Sequence, residues 1–201
     1  MTTDGLRIEP LTPARFPDLA GLFEQGGDPR WCFCAYYRVR GVDFSKGSKD
    51  RHRGILETAV VDHAAAGRAP GLVAYAGEEA VGWLSIGPRE DYERLAHSRV
   101  LGPLDDTPVW SIVCFVVGRR SRGHGVAKAL LAAGVEYAQE HGASVLEAYP
   151  IEIADGERIP SANVYHGTLS MFEDAGFEVV AHRSAPGSDA SRPIVRLALT
   201  G

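Results

Sequence analysis

The sequence predicts one α/β (α+β) domain over residues 1–201, with helices flanking a mixed, mostly antiparallel sheet. Three observations carry this. First, two apolar runs, Leu72–Ala76 and Ala80–Ile86, flank Gly77-Glu78-Glu79, a hairpin signal. Second, the apolar run Val109–Val117 leads through a Gly- and Arg-rich turn into Val126–Gln139, whose apolar residues recur at helical spacing. Third, 201 residues with 45% apolar content can bury the core of a single domain.

Each element has a local cause. Leu6–Leu11 alternates and reads as a first strand. Thr12-Pro13 starts a helix, with a capping residue and then proline at the first helical position. Phe16, Leu19, Leu22 and Phe23 follow at helical spacing, and Gly26-Gly27-Asp28-Pro29 ends the helix. Arg30–Lys49 is irregular and carries the aromatics Trp31, Tyr36, Tyr37 and Phe44. Asp50–Ala66 returns to helix, with Ile55, Ala59 and Val60 on one side. After the hairpin, Pro88–Thr107 is polar and reads as a loop with some helix. In the helix after the turn, Ala127, Leu130, Leu131, Gly134 and Ala138 share a face, and Gly142 closes it. Ser144–Tyr149 is a strand, Pro150–Pro160 a loop, and Tyr165–Ala175 a helix ended by Gly176. Phe177–Ala181 and Ile194–Leu199 are final strands around a Ser/Gly/Pro turn.

The composition removes several function classes. A net charge of −5 argues against a general nucleic-acid binder, whose footprint is basic. Apolar stretches fall short of the ~20 residues of a membrane span, and no signal-peptide core stands at the start, so no membrane partner and a cytoplasmic setting are expected. Three cysteines, Cys32, Cys34 and Cys114, make no disulfide framework. Cys32-x-Cys34 lacks the second ligand pair a zinc site needs, so no metal is expected. Cys114, inside an apolar strand, reads as a small core residue.

The turn Arg120-Ser121-Arg122-Gly123-His124-Gly125 is the most informative stretch. A strand, a glycine turn and a helix start together offer unpaired N–H groups and the positive end of a helix dipole to an anion. The arginines add charge that does not titrate away. Gly123-His124-Gly125 also resembles the opening of a dinucleotide fingerprint, with Glu147 near the ribose-binding position. Lys128 occupies the third glycine, however, and the turn comes too late in the chain for a doubly wound sheet. The phosphate-loop NTPase pattern is absent.

Arg120-x-x-Gly123-x-Gly125 after an apolar strand resembles the acyl-CoA signature of the GNAT acetyltransferase superfamily, and Gly167–Phe177 resembles that family's later segment ending Y-x-x-x-G-F. The resemblance covers nearly the whole chain and implies a GNAT-like, V-shaped sheet, with acetyl-CoA as co-substrate and an amine on a small molecule or peptide as acceptor. It also allows a homodimer. It implies a pyrophosphate held by Arg120 and the N–H groups of Arg122, Gly123, His124, Gly125, Val126 and Ala127. The pantetheine arm would pair with Phe115, Val116 and Val117, where the central strand and Ser144–Tyr149 splay apart. Phe172 would also lie against the cofactor.

The sequence departs from the family pattern at the chemistry. The frequent general-acid tyrosine falls at Phe172, the asparagine starting that helix at Tyr165, and the glutamate early on the central strand at Val109. Tyr165 is therefore a candidate acid, and Glu147, on one strand face with Tyr149, the candidate base. Trp31, Tyr36, Tyr37 and Tyr149 are the candidate acceptor-binding residues. The same aromatics also suit a hydrophobic cluster pinning a long loop. Phe172, with no proton to give, leaves a non-catalytic acyl-CoA-binding or sensing domain as the alternative.

Overall fold

The apolar runs of the sequence assemble into one seven-stranded sheet in the computed structural model, which describes residues 5–153, 165–184 and 191–199. In chain order the elements are β1 (Leu6–Pro10), α1 (Phe16–Glu24), α2 (Pro29–Cys32), α3 (Gly41–Ser45), α4 (Lys49–Ala65), β2 (Gly71–Ala76), β3 (Glu79–Pro88), α5 (Glu93–Ala96), β4 (Trp110–Val117), α6 (Val126–Glu140), β5 (Val145–Ala148), α7 (Leu169–Glu173), β6 (Glu178–Ser184) and β7 (Ser191–Ala198). The strand order is β1-β2-β3-β4-β5-β7-β6. Every neighbouring pair is antiparallel except β4 and β5.

That parallel pair is short and opens a wedge in the sheet. Trp110 faces Leu146, Ser111 faces Glu147 and Ile112 faces Ala148, and there the pairing stops. β4 continues to Val117, so its last residues border a wedge. The register between β3 and β4 shifts at the same level: Ile86 faces Ile112 and Ser85 faces Cys114, which leaves Val113 as an extra residue. Such a bulge re-aims the groups beside it.

Two layers of helix cover the sheet. Leu130, Leu131 and Ala138 of α6 pack with Leu84, Ile86, Ile112, Phe115, Leu146 and Ala148 on one face. Leu19 and Phe23 of α1 and Leu56 and Val60 of α4 pack with Val73, Trp83 and Val116 on the other. A smaller cluster of Tyr37, Tyr92, Leu95, Val113, Tyr149 and Ile194 lies beside the wedge.

Several local expectations are corrected. Arg30–Lys49 is not wholly irregular, since α2 and part of its length in α3 are helical. Thr12 stands before a short 3₁₀ turn, Pro13–Arg15, and its side chain makes no cap bond. The buried stripe of α4 is His52, Leu56, Val60 and His63 rather than Ile55 and Ala59, because His52 turns inward to the carbonyls of Trp31 and Phe44, each 3.1 Å away. The helix expected from Tyr165 begins at Leu169, where Thr168 caps it by accepting from the Met171 N–H at 3.3 Å. Much of the loop expected at Pro150–Pro160, and the turn between the last strands, lie outside the described residues.

Candidate active site

On the α6 side of the wedge lies a cleft of about 440 Å³ lined by Phe115, Val117, Ser121, Arg122, Gly123, Gly125, Val126, Ala127, Lys128, Tyr165, Gly167, Thr168 and Met171. Gly123 and Gly125 have φ of +76° and +77°, the left-handed region that side chains strain to adopt. A Cβ at Gly123 would meet nothing within 4 Å, so the turn faces open space there, and Gly125 lines the cleft beside it. The first turn of α6, with its unpaired N–H groups, follows directly. This cradle and the cations Arg122 and Lys128 fit a phosphorylated ligand. Arg122 Nε donates to the Val117 carbonyl at 3.1 Å, and Lys128 pairs with Asp174 at 2.7 Å on the surface.

Not all the expected cofactor residues share this cleft. Arg120 lines a separate groove with Gln25 and Glu79, and exposed His124 is not among the cleft's lining residues. Val116 turns its side chain into the core on the α1 face, as strand alternation requires. Phe172 is fully buried against Phe115 and Phe177, so it supports the wall instead of facing a ligand, and Met171 takes the lining position. Lys128, Ser121, Thr168 and Met171 line the cleft although the sequence reading assigned them no contact there.

Across the wedge is a second cavity of about 470 Å³, lined by Asp28, Pro29, Trp31, Cys32, Cys34, Tyr36, Tyr37, Phe44, Val113, Cys114, Tyr165 and His166. The expected acceptor residues Trp31, Tyr36 and Tyr37 meet here. All three cysteines also reach this wall, from the α2 region and from β4. Phe33 and Cys34 both have positive φ, +41° and +52°, a conformation that costs about 1–3 kcal/mol per residue. It sets Cys34 Sγ 3.1 Å from the Trp83 Nε1–H that donates to it. Burial pushes the Cys32 thiol up to about 12.

Tyr165 lines both cavities. Its carbonyl accepts the Phe115 N–H at 2.6 Å, so the segment that precedes α7 sits against the open edge of β4. Burial, followed by the negative charge of Asp28, raises the Tyr165 phenol above its ordinary value, so it keeps its proton at neutral pH.

Glu147 and Tyr149 fall elsewhere. They share a strand face, as alternation requires, and Leu146 and Ala148 face the α6 core. Glu147, however, is fully buried, and both carboxylate oxygens are engaged: Oε1 by Arg89 and by the Tyr149 hydroxyl at 2.7 Å, Oε2 by Arg196 at 2.8 Å. Arg196 also forks onto Asp105 at 2.6 and 3.2 Å. Glu147 lines neither cavity and both of its oxygens are already engaged, so the structure does not bring the expected base to the wedge. Tyr149 is 1% exposed and does not line the second cavity, where it was expected. Its hydroxyl is shared among Arg89, Glu147 and Ser111.

The residue that sequence reading missed is His166. Its Nδ1 lies 3.2 Å from the Val113 carbonyl and 3.4 Å from the Tyr37 hydroxyl. A lone histidine before a helix carries no spacing signal. Only the wedge and the bulge at Val113 bring it to the cavity.

The family model described as Acetyltransferase (GNAT) family matches residues 33–167. The chain belongs to the GNAT acetyltransferase family. A GNAT member is an acetyltransferase with acetyl-CoA as its co-substrate. The fold of this GNAT chain is shared with a histone acetyltransferase HPA2-related protein of Corynebacterium glutamicum, at 18% identity and a TM-score of 0.57 over 98% of each chain. It is shared with yncA of Salmonella typhimurium, solved with acetyl-CoA, at 16% identity and a TM-score of 0.56 over 98% of this chain and 95% of that one. A ribosomal-protein-alanine N-acetyltransferase of Brucella melitensis matches at 20% identity and a TM-score of 0.54, over 96% and 99%. No curated protein matches the chain significantly in sequence. Among the described residues, no helix is long and apolar enough to cross a membrane.

Proposed function

We propose that this GNAT domain moves an acetyl group from acetyl-CoA, held in the α6-side cleft, to an amine presented by the aromatic cavity. The observation that carries the reading is the position of Tyr165, which borders both spaces where β4 and β5 part. Acetyl-CoA supplies an activated acyl group. Gly123, Gly125 and the first N–H groups of α6 hold its pyrophosphate, with Arg122 and Lys128 balancing the charge. The edge of β4 at Phe115 and Val117 orients the arm. Tyr165, whose phenol stays protonated, gives a proton to the departing sulfur. Trp31, Tyr36 and Tyr37 seat the acceptor, a small molecule or a peptide end. Glu147, Arg89, Arg196 and Tyr149 form the buried ionic brace that fixes β5 against β7. A cytoplasmic setting, where free cysteines persist, goes with this reading.

The test is thiol release from acetyl-CoA across a panel of amines, with mass spectrometry of the products. Acetylated amine and stoichiometric CoA thiol are expected. Acetyl-CoA binding without thiol release from any amine would sink the transfer reading.

A further inference from the structure

The cavity opposite the cofactor cleft has a chemical character beyond being aromatic. Its rings form a slot: Trp31 meets Phe44 edge to face at 5.0 Å, and Tyr36 meets Phe44 at 5.2 Å and Tyr37 at 5.0 Å. Aromatic faces of this kind attract cations, and the Tyr36 ring already carries a cation of the protein, Arg94, from the neighbouring groove that Arg94 lines. The Arg94 guanidinium lies 3.7 Å over the Tyr36 ring and 5.7 Å from that of Phe44, anchored by Nε donating to the Tyr36 carbonyl at 2.6 Å. Arg192 of β7 adds positive charge beside Tyr37 and His166. Among the described lining residues Asp28 is the one carboxylate, and it is exposed at the rim, where solvent screens it. Among the described residues an alkylammonium entering this slot finds no buried counter-ion, and Arg94 and Arg192 stand behind its walls.

His166 completes the picture. The Val113 carbonyl can only accept, so Nδ1 carries the ring proton and Nε2 the lone pair. Burial, with Arg192 acting in the same direction, holds the imidazole down to about 4, so it is neutral at pH 7. The charged and titratable groups around it are Tyr37 with Arg94 behind it, Arg192 from β7, Cys114 from β4, Tyr165 on its own segment, and Asp28, Cys32 and Cys34 across the cavity. None of them offers it a buried negative charge in the free protein.

We infer that the acceptor is an aromatic amine that arrives neutral, and that His166 is the catalytic residue that receives its proton. The inference rests on the acetyl-transfer reading of the wedge. As the amine nitrogen bonds to the acyl carbon it becomes acidic. The C–S bond breaks with its electron pair going to sulfur, and the nitrogen's proton passes to Nε2 of His166. The imidazolium then returns the proton to the pool that neutralises the thiolate, directly or through Tyr165, restoring neutral imidazole, a protonated phenol and CoA thiol. So weak a base cannot strip an alkylammonium, whose pKa is about 10.4 for lysine-like amines, but it suffices for a nitrogen already neutral.

The test compares 4-methylaniline with benzylamine as acceptors for the full chain, by thiol release and by calorimetric binding to the CoA-loaded protein. The expected result is at least ~100-fold higher kcat/KM for 4-methylaniline, and a loss of about 10²-fold in kcat for His166→Gln with unchanged acetyl-CoA affinity. The parent rate should be flat around neutrality and fall only on the acid side, toward the pH at which the imidazole protonates. A preference for benzylamine, a rate still climbing through alkaline pH, or parental kcat in His166→Gln would each overturn the inference. So would binding of acetyl-CoA with turnover of neither amine. Failure of acetyl-CoA to bind at all would instead remove the reading beneath it. Should His166→Gln not fold, the parent's imidazole titration by NMR decides: a pKa near 4 with the proton on Nδ1 supports the role, and a value above neutrality overturns it.

Discussion

The backbone N–H of Phe115 donates to the carbonyl oxygen of Tyr165 at 2.6 Å, across the gap left where β4 outruns β5. This bond ties the residue shared by both cavities to the strand edge that would pair with a ligand's amides. A ligand pairing there must take over this N–H, exchanging one hydrogen bond for another at a net change of about 1 kcal/mol. Acetyl-CoA should therefore shift the Phe115 amide resonance and those of Tyr165–Gly167. Unmoved resonances at saturation would place the arm away from β4.

Tyr165→Phe removes the phenol proton while keeping the ring that lines both cavities. With a role in protonating sulfur, kcat falls by about 10²-fold and acetyl-CoA affinity stays within a few-fold. Steady-state and binding measurements on the same preparation separate the two. Parental kcat would leave the sulfur to depart as thiolate unaided.

Glu147→Ala leaves Arg89 and Arg196 facing one another without their carboxylate. Removing one partner from a buried ionic cluster costs about 3–5 kcal/mol. A chemical denaturation curve should show that loss. The milder Glu147→Gln should lower stability yet keep the shape of the pH–rate profile, since the group is a brace. A displaced acid limb in that profile would return Glu147 to the role of base.

His166 also links pH to stability. Its folded pKa, about 4, lies below the ordinary histidine value of about 6.5, so between those values the unfolded chain binds more protons. The contribution is intact above about pH 6.5 and is lost as pH falls toward 4. Asp91 acts lower. Burial pushes its carboxyl up, but His63 at 3.3 Å and the Arg68 fork at 2.6 and 2.9 Å outweigh that and hold it down to about 2. Its stabilisation persists above the ordinary aspartate value and is lost as pH falls toward 2. Melting temperatures of the parent and His166→Gln across this range should converge in acid. Parallel curves would contradict the assigned shift.

The sequence was legible where one local rule decides the outcome. The Gly77 hairpin, the Val109–Val117 strand and the turn into α6 follow from periodicity and from glycines that tolerate positive φ. The cradle residues Arg122, Gly123, Gly125, Val126 and Ala127 came with them, because a strand, turn and helix start place neighbours in sequence together in space. What failed was side-chain direction and long-range pairing. Glu147 looked available because alternation gives its face but not the two arginines waiting there from the β3–α5 connection and β7. Phe172 was expected against the cofactor because the family resemblance aligns it with a tyrosine, whereas its apolar ring turns into the core against Phe115 and Phe177. His166 escaped because its partner, the Val113 carbonyl, is presented by a bulge that no periodicity announces.

The most direct test of the central claim is titration calorimetry of acetyl-CoA into the parent and Gly125→Val. Valine strains the left-handed turn by about 1–2 kcal/mol and fills space the pyrophosphate would use. The account predicts binding to the parent and at least ~10-fold weaker binding to a folded Gly125→Val. Equal affinities in two folded proteins would contradict the placement of acetyl-CoA at the head of α6.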